Sequence, residues 1–143
     1  MSSGKPRRLQ TYETDAITVT FDPTRCIHAA ECIRTAPLVF DSRRRRWIKP
    51  ELGDAALIAT AVHRCPTGAL SYTLPNGPVE AVDADATLRV AHDGPLYVRG
   101  TIEVETDDGR VIAEGMRMAL CRCGATKNAP FCDGSHREVG FHG

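Results

Sequence analysis

Residues Cys121 to His136 read CRCGATKNAPFCDGSH, so three of the chain's six cysteines and one histidine fall within sixteen positions. Cys121 and Cys123 are separated by one residue, Cys132 follows nine positions later, and His136 lies four beyond it. This density constrains the fold more than any hydrophobic period does. Four soft or borderline donors so close together act most simply as the ligands of one metal centre, and the chain around them must bend to bring them there. A thiol and an imidazole at i and i+4 would meet on one face of a helical turn. A helix is therefore expected near Cys132, with Asp133-Gly134 as the sharp turn that starts it and free backbone N–H groups to stabilise sulfur charge. Pro130 stiffens the approach. From the residues alone the centre is zinc or iron-sulfur: a Cys3His set satisfies tetrahedral zinc, but C-x-C is tighter than the usual zinc spacing.

The remaining cysteines form a second group. Cys26 and Cys32 bound CIHAAEC, and Cys65 stands in CPTGAL. Ferredoxin runs place cysteines at C-x2-C-x2-C followed much later by C-P. This chain keeps the first, the third and the C-P, with Ala29 where the middle thiol would be. Three thiolates suit a 3Fe-4S cluster, or a 4Fe-4S cluster whose fourth iron takes another ligand.

A chain of 143 residues has room for one ordinary domain or two small ones. Halves of about 70 residues are near the size at which metals supplement a small core. Formal net charge is zero, which excludes a bulk electrostatic argument for nucleic acid or an anionic membrane. The opening MSSGKPRRLQ has no apolar core of a secretory signal, and the longest mainly apolar stretch, Ala55 to Val62, falls far short of the roughly 20 residues a bilayer needs. A cytoplasmic protein is expected, with no nucleic acid or membrane partner. In a reducing compartment clustered thiols become ligands rather than disulfides.

The expected organisation is α+β: a tail over residues 1–15, a first domain over 16–74, a linker over 75–85 and a β-rich second domain over 86–143. Ile17, Val19 and Phe21 alternate with threonines as in a half-buried strand, and Asp22-Pro23-Thr24 ends it. Ala29 to Arg34 is expected as a short helix limited by Pro37, and Gly53 to His63 as a firmer one with Asp54 in its first turn. Ala69 to Leu74 reads as a strand. Further strands are expected at Ala86 to Ala91, Leu96 to Glu105 and Val111 to Met118, joined by turns at Asp93-Gly94 and Asp108-Gly109.

Cys121, Cys123, Thr126, Pro130, Cys132, Asp133, Gly134, Ser135 and His136 together meet the pattern C-x-C-x2-[ST]-x3-P-x-C-D-G-[STA]-H. The C-terminal part thereby resembles the CDGSH iron-sulfur domain. That resemblance implies a 2Fe-2S cluster on Cys121, Cys123, Cys132 and His136, with Asp133, Gly134 and Ser135 around it. CIHAAEC, LVFD, RRWIKP and CPTGAL resemble the divergent monocluster 4Fe-4S ferredoxin-like domain, a half-ferredoxin unit, which implies a 3Fe-4S or 4Fe-4S cluster on Cys26, Cys32 and Cys65; the resemblance makes His28, one position off the missing cysteine, either an extra ligand below the thiolates in rank or a histidine beside the site or at the surface. The function expected is an electron carrier. The alternatives are a donor or redox and pH sensor that releases the 2Fe-2S cluster, and a zinc-stabilised interaction module. No nucleophile triad, phosphate loop or nucleotide fingerprint occurs, so no enzymatic activity is expected. The partner would be a redox protein or an apo-acceptor protein, and a single CDGSH motif per chain allows a homodimer.

Arg43 to Arg46 is expected as a solvated loop rather than a docking patch, with Trp47 packed beneath it. His63, His92 and His142 are expected to be structural or surface residues. His136 replaces one thiolate by a neutral imidazole, which raises a cluster's potential, and protonating the coordinating nitrogen breaks its bond to iron. His136→Cys is accordingly expected to lower the potential and make cluster release more acid-resistant; an unchanged release profile at mildly acidic pH would overturn this.

Overall fold

The computed structural model describes residues 9–75 and 85–143. Among them are two three-stranded antiparallel sheets with helices packed against the first, an α+β arrangement. The first sheet has the order β1 (Gln10–Glu13), β2 (Thr18–Phe21), β3 (Leu70–Thr73). Part of the segment read as a tail is thus a strand: β1 pairs with β2, Thr11 opposite Thr20 and Tyr12 opposite Val19. Its Gln-Thr-Tyr-Glu sequence is mostly exposed and carries no apolar alternation to announce it. The boundary read at 75–85 falls chiefly on residues 76–84, which lie outside the described residues.

Ile17, Val19 and Phe21 point into the core as their alternation requires. Across the sheet, Phe21 stands opposite Leu70. Helix α2 (Ala55–His63) covers this face with Ile58, Ala61 and Val62. Asp54 is its N-cap rather than a first-turn residue: its backbone is extended and its carboxylate accepts from the Leu57 N–H at 2.8 Å. Helix α1 (Glu31–Thr35) starts later than the expected Ala29 because His28 and Ala30 both have positive φ, 59° and 63°, which no α-helix accommodates. It stops at Ala36, before Pro37, as that proline demands.

Three of the four arginines of the run have partners close by in the chain. Arg43 pairs with Asp41, Arg44 donates to the carbonyls of Leu38, Val39 and Trp47, and Arg46 pairs with Glu51. Beneath the loop, Trp47 meets Phe21 edge-on, ring centres 4.9 Å apart. Arg44 braces the loop against the core, while Arg43, Arg45 and Arg46 are exposed.

The second sheet has the order β4 (Thr87–Val90), β5 (Leu96–Glu105), β6 (Val111–Leu120). Both Asp-Gly turns fall between these strands, and β6 runs on to Leu120, immediately before Cys121. The two sheets are joined through arginines. Arg117 on β6 is 4% exposed, and its guanidinium donates to the carbonyls of Val62, Cys65 and Leu70 in the first half. Arg99 on β5 reaches the His63 carbonyl at 2.8 Å. Facing them, Gly68 (φ +72°) lies so close to β6 that an added Cβ would sit 2.2 Å from the Arg117 carbonyl oxygen. Gly68→Ala is expected to reduce unfolding free energy by about 2–4 kcal/mol, combining backbone strain with a forced shift of β6. Urea unfolding of the intact chain checks this; a loss below about 0.5 kcal/mol would mean that the halves separate there easily.

Candidate iron-sulfur sites

The Cys26 loop follows a turn that Asp22 closes, its carboxylate accepting from the Thr24 N–H at 3.0 Å. The left-handed residues His28 and Ala30 then fold the chain back, and α1 begins with Glu31 and Cys32. Cys65 comes from the opposite side, just after α2, with its N–H on the Val62 carbonyl and its sulfur 3.6 Å from the Thr67 hydroxyl. These three cysteines line one cavity, whose other walls include Trp47, Phe21 and Pro66. His28 is exposed and borders a groove together with Cys26 and Cys32.

Burial pushes the Cys32 thiol up to about 12, with the neighbouring Cys65 and Cys26 adding to the rise against the N–H groups of Ile33 and Cys32. Burial also raises Cys26, opposed by the His28 N–H and assisted by Cys65. Cys26 and Cys32, sharing a half-buried cavity with Cys65, resist ionising by themselves. A cationic centre between them supplies the compensation that water cannot, which fits an iron-sulfur group at this donor set.

In the C-terminal half, β6 delivers Cys121, and the chain returns alongside it. The Cys121 N–H donates to the Pro130 carbonyl and the Cys132 N–H to the Ala119 carbonyl, at 2.9 and 2.8 Å, around a bridge between Leu120 and Phe131. This return, not a helix, sets Cys132 beside Cys121. Helix α3 (Ser135–Glu138) begins only after Gly134, a left-handed N-cap with φ 90°. The expected shared helical face for Cys132 and His136 is therefore corrected to a turn: Asp133-Gly134 reverses the chain so that His136 swings back, its Nδ1 3.4 Å from the Cys132 sulfur. A helix through Cys132 would cost the pairing of that strand-like segment with β6.

The donors fall into two pairs. Cys121 and Cys123 sulfurs lie 3.7 Å apart, and Cys132 with His136 forms the other pair. Among the described residues no three His, Cys, Asp or Glu side chains converge as the ligands of a single ion would. The sulfurs receive backbone N–H groups: Gly124 on Cys121 at 3.3 Å, Ala125 on Cys123 at 3.4 Å and Gly134 on Cys132 at 3.4 Å. Asp133 shapes the loop without touching sulfur, accepting from the N–H groups of Lys127 and Ser135 at 2.9 and 3.0 Å. Arg122 clamps the β4–β5 turn over the site through the carbonyls of Gly94 and Ala91.

Electrostatics separate Cys121, Cys132 and His136. Burial acts to raise the Cys121 thiol, but N–H groups of Thr126 and Gly124 and the Cys123 thiol outweigh it and hold it below the ordinary range. Cys132 stays raised, by burial first, with the Cys121 charge adding to it against the Gly134 N–H. His136 is pushed down by burial and by Arg137, with Asp133 in opposition, so its neutral, coordinating form is favoured.

Every thiol in the two predicted sets lines one of these two sites, and His136 joins its set. Sequence reasoning missed the groups that link the sites: Arg117, Arg137 and Ile27. Arg137 donates to the Ile27 carbonyl at 2.8 Å, and Ile27 packs with Ala119 and Cys132. For Arg117 a signal existed, since it occupies the inward phase of β6 along with Ala113 and Ala119. His92 and His142 are largely exposed and flank Asp93, as expected of surface residues.

With this geometry, similarity to known proteins is specific. A model of the divergent 4Fe-4S mono-cluster domain matches residues 12–75, and a model of the iron-binding zinc finger of CDGSH type matches residues 93–137. The chain belongs to the iron-sulfur-binding proteins that join these two domains. It is 34% identical over 61 residues to the proteins titled "Uncharacterized protein YjdI" of Escherichia coli K12 and O157:H7, covering 43% of this chain and 80% of theirs. No helix among the described residues is long and apolar enough to cross a membrane.

In the cluster-free protein at pH 8, Cys121 is expected to alkylate at least tenfold faster than Cys32, because thiolate rather than thiol is the nucleophile. Mass mapping after timed iodoacetamide exposure checks it; equal rates would refute the assigned environments.

Proposed function

We propose that this protein is a small electron carrier rather than an enzyme, holding a 2Fe-2S cluster on Cys121, Cys123, Cys132 and His136 and a 3Fe-4S or 4Fe-4S cluster on Cys26, Cys32 and Cys65. The carrying observation is the two-plus-two grouping of the C-terminal donors: the Cys121 and Cys123 sulfurs lie 3.7 Å apart, and the Cys132 sulfur lies 3.4 Å from the His136 imidazole. A binuclear centre needs two donors on each metal, whereas a structural zinc ion needs four around one point. Bound clusters supply reversible one-electron chemistry. The chain's own residues hold it in place: N–H groups of Gly124, Ala125 and Gly134 stabilise sulfur charge, and His136 presents Nδ1 in its neutral form. The partner would be a redox protein.

A second reading is supported by the contrast between the sites. Cys121 and Cys123 are only half-buried, on a loop at the surface, and Cys121 ionises readily. Such a site favours handing its cluster to an apo-acceptor, or releasing it in mild acid when His136 takes a proton.

Iron and acid-labile sulfide analysis with EPR on the anaerobically prepared chain tests the proposal. About five or six irons per chain are expected, falling to about two in Cys26→Ser. Colourless protein containing zinc would overturn it. Incubation with an apo-ferredoxin separates the two readings: reversible reduction without cluster loss supports the carrier, and prompt transfer supports the donor.

A further inference from the structure

The segments that carry the C-terminal donors also grip the N-terminal ones. Arg117 stands four residues before Cys121 and donates to the main-chain carbonyl of Cys65 itself at 2.7 Å, as well as to Val62 and Leu70. Arg137, next to His136, donates to the carbonyl of Ile27, the residue after Cys26. Ile27 is 2% exposed and packs on Cys132 and Ala119. Two of the three N-terminal thiols therefore sit on main chain that the other half holds. These are charge-assisted hydrogen bonds, short and directional, so a displacement of one loop is passed to its partner rather than absorbed.

We propose that Arg137 and Arg117 are positioning residues that couple the two iron-sulfur sites. A filled N-terminal site fixes the Cys26–Ile27 and Cys65 main chain, which holds Arg137 and Arg117, and these keep His136 and Cys121 in binding geometry. This rests on reading both donor sets as cluster sites. Because such coupling is reciprocal at equilibrium, each filled site raises the affinity of the other by the same factor.

The intact chain, reconstituted anaerobically, is challenged with excess EDTA while the visible absorption and EPR signal of each cluster are followed. Cys26→Ser is expected to speed loss of the C-terminal cluster by roughly fivefold or more. Arg137→Gln should give a similar acceleration alone and add little in the Cys26→Ser background, since both break the same connection. Arg137→Lys, which retains one donor for the Ile27 carbonyl, should recover part of the retention. An unchanged C-terminal release rate in Cys26→Ser, or effects of the two substitutions that multiply, would overturn the coupling. Should Arg137→Gln fail to fold, the Cys26→Ser comparison decides by the same criterion. Wild-type chain lacking acid-labile sulfide would sink the iron-sulfur reading itself, whereas two clusters lost independently would sink only the coupling.

Discussion

A buried guanidinium fastened to three main-chain carbonyls underlies much of this structure. Removing an arginine from water is costly unless its charge and its donors are met. Val62, Cys65 and Leu70 accept from the two terminal nitrogens of Arg117, and in doing so they fix the end of α2, the Cys65 loop and the start of β3 against β6. The close approach at Gly68 follows from the same packing, because a strand held this tightly leaves no room for a side chain opposite the Arg117 carbonyl.

The two donor sets are built on different physics. The N-terminal thiols sit at the edge of an apolar core that includes Trp47 and Phe21, and burial dominates the ionisation of Cys26 and Cys32. In the C-terminal set burial acts first on Cys132 and His136, whereas at Cys121 backbone N–H groups aimed at sulfur outweigh it. Ile27, packed on Ala119 and Cys132, brings the two donor sets into mutual contact.

Much of this was legible in the residues. Alternation in Ile17, Val19 and Phe21, the Asp-Gly turns and the apolar face of α2 are local signals, and the elements formed where those signals lay. Strand β1 was not legible, because an exposed edge strand needs only main-chain pairing and leaves no apolar trace. Nor was the left-handed backbone at His28 and Ala30, since neither residue type announces positive φ. The placing of Cys132 was misread for a related reason: i, i+4 spacing is compatible with a helix, but pairing with β6 claimed Cys132 first and left the turn to return His136.

By itself the sequence determined the donors, their grouping into two sets and the α+β alternation around them, because residue type and spacing are local and ligand chemistry is set by the side chain. Only the tertiary structure decided that the two sets adjoin. Arg117 meeting Cys65 and Arg137 meeting Ile27 span 52 and 110 positions along the chain. Their acceptors are main-chain carbonyls, which every residue carries, so no residue type or spacing could have named them.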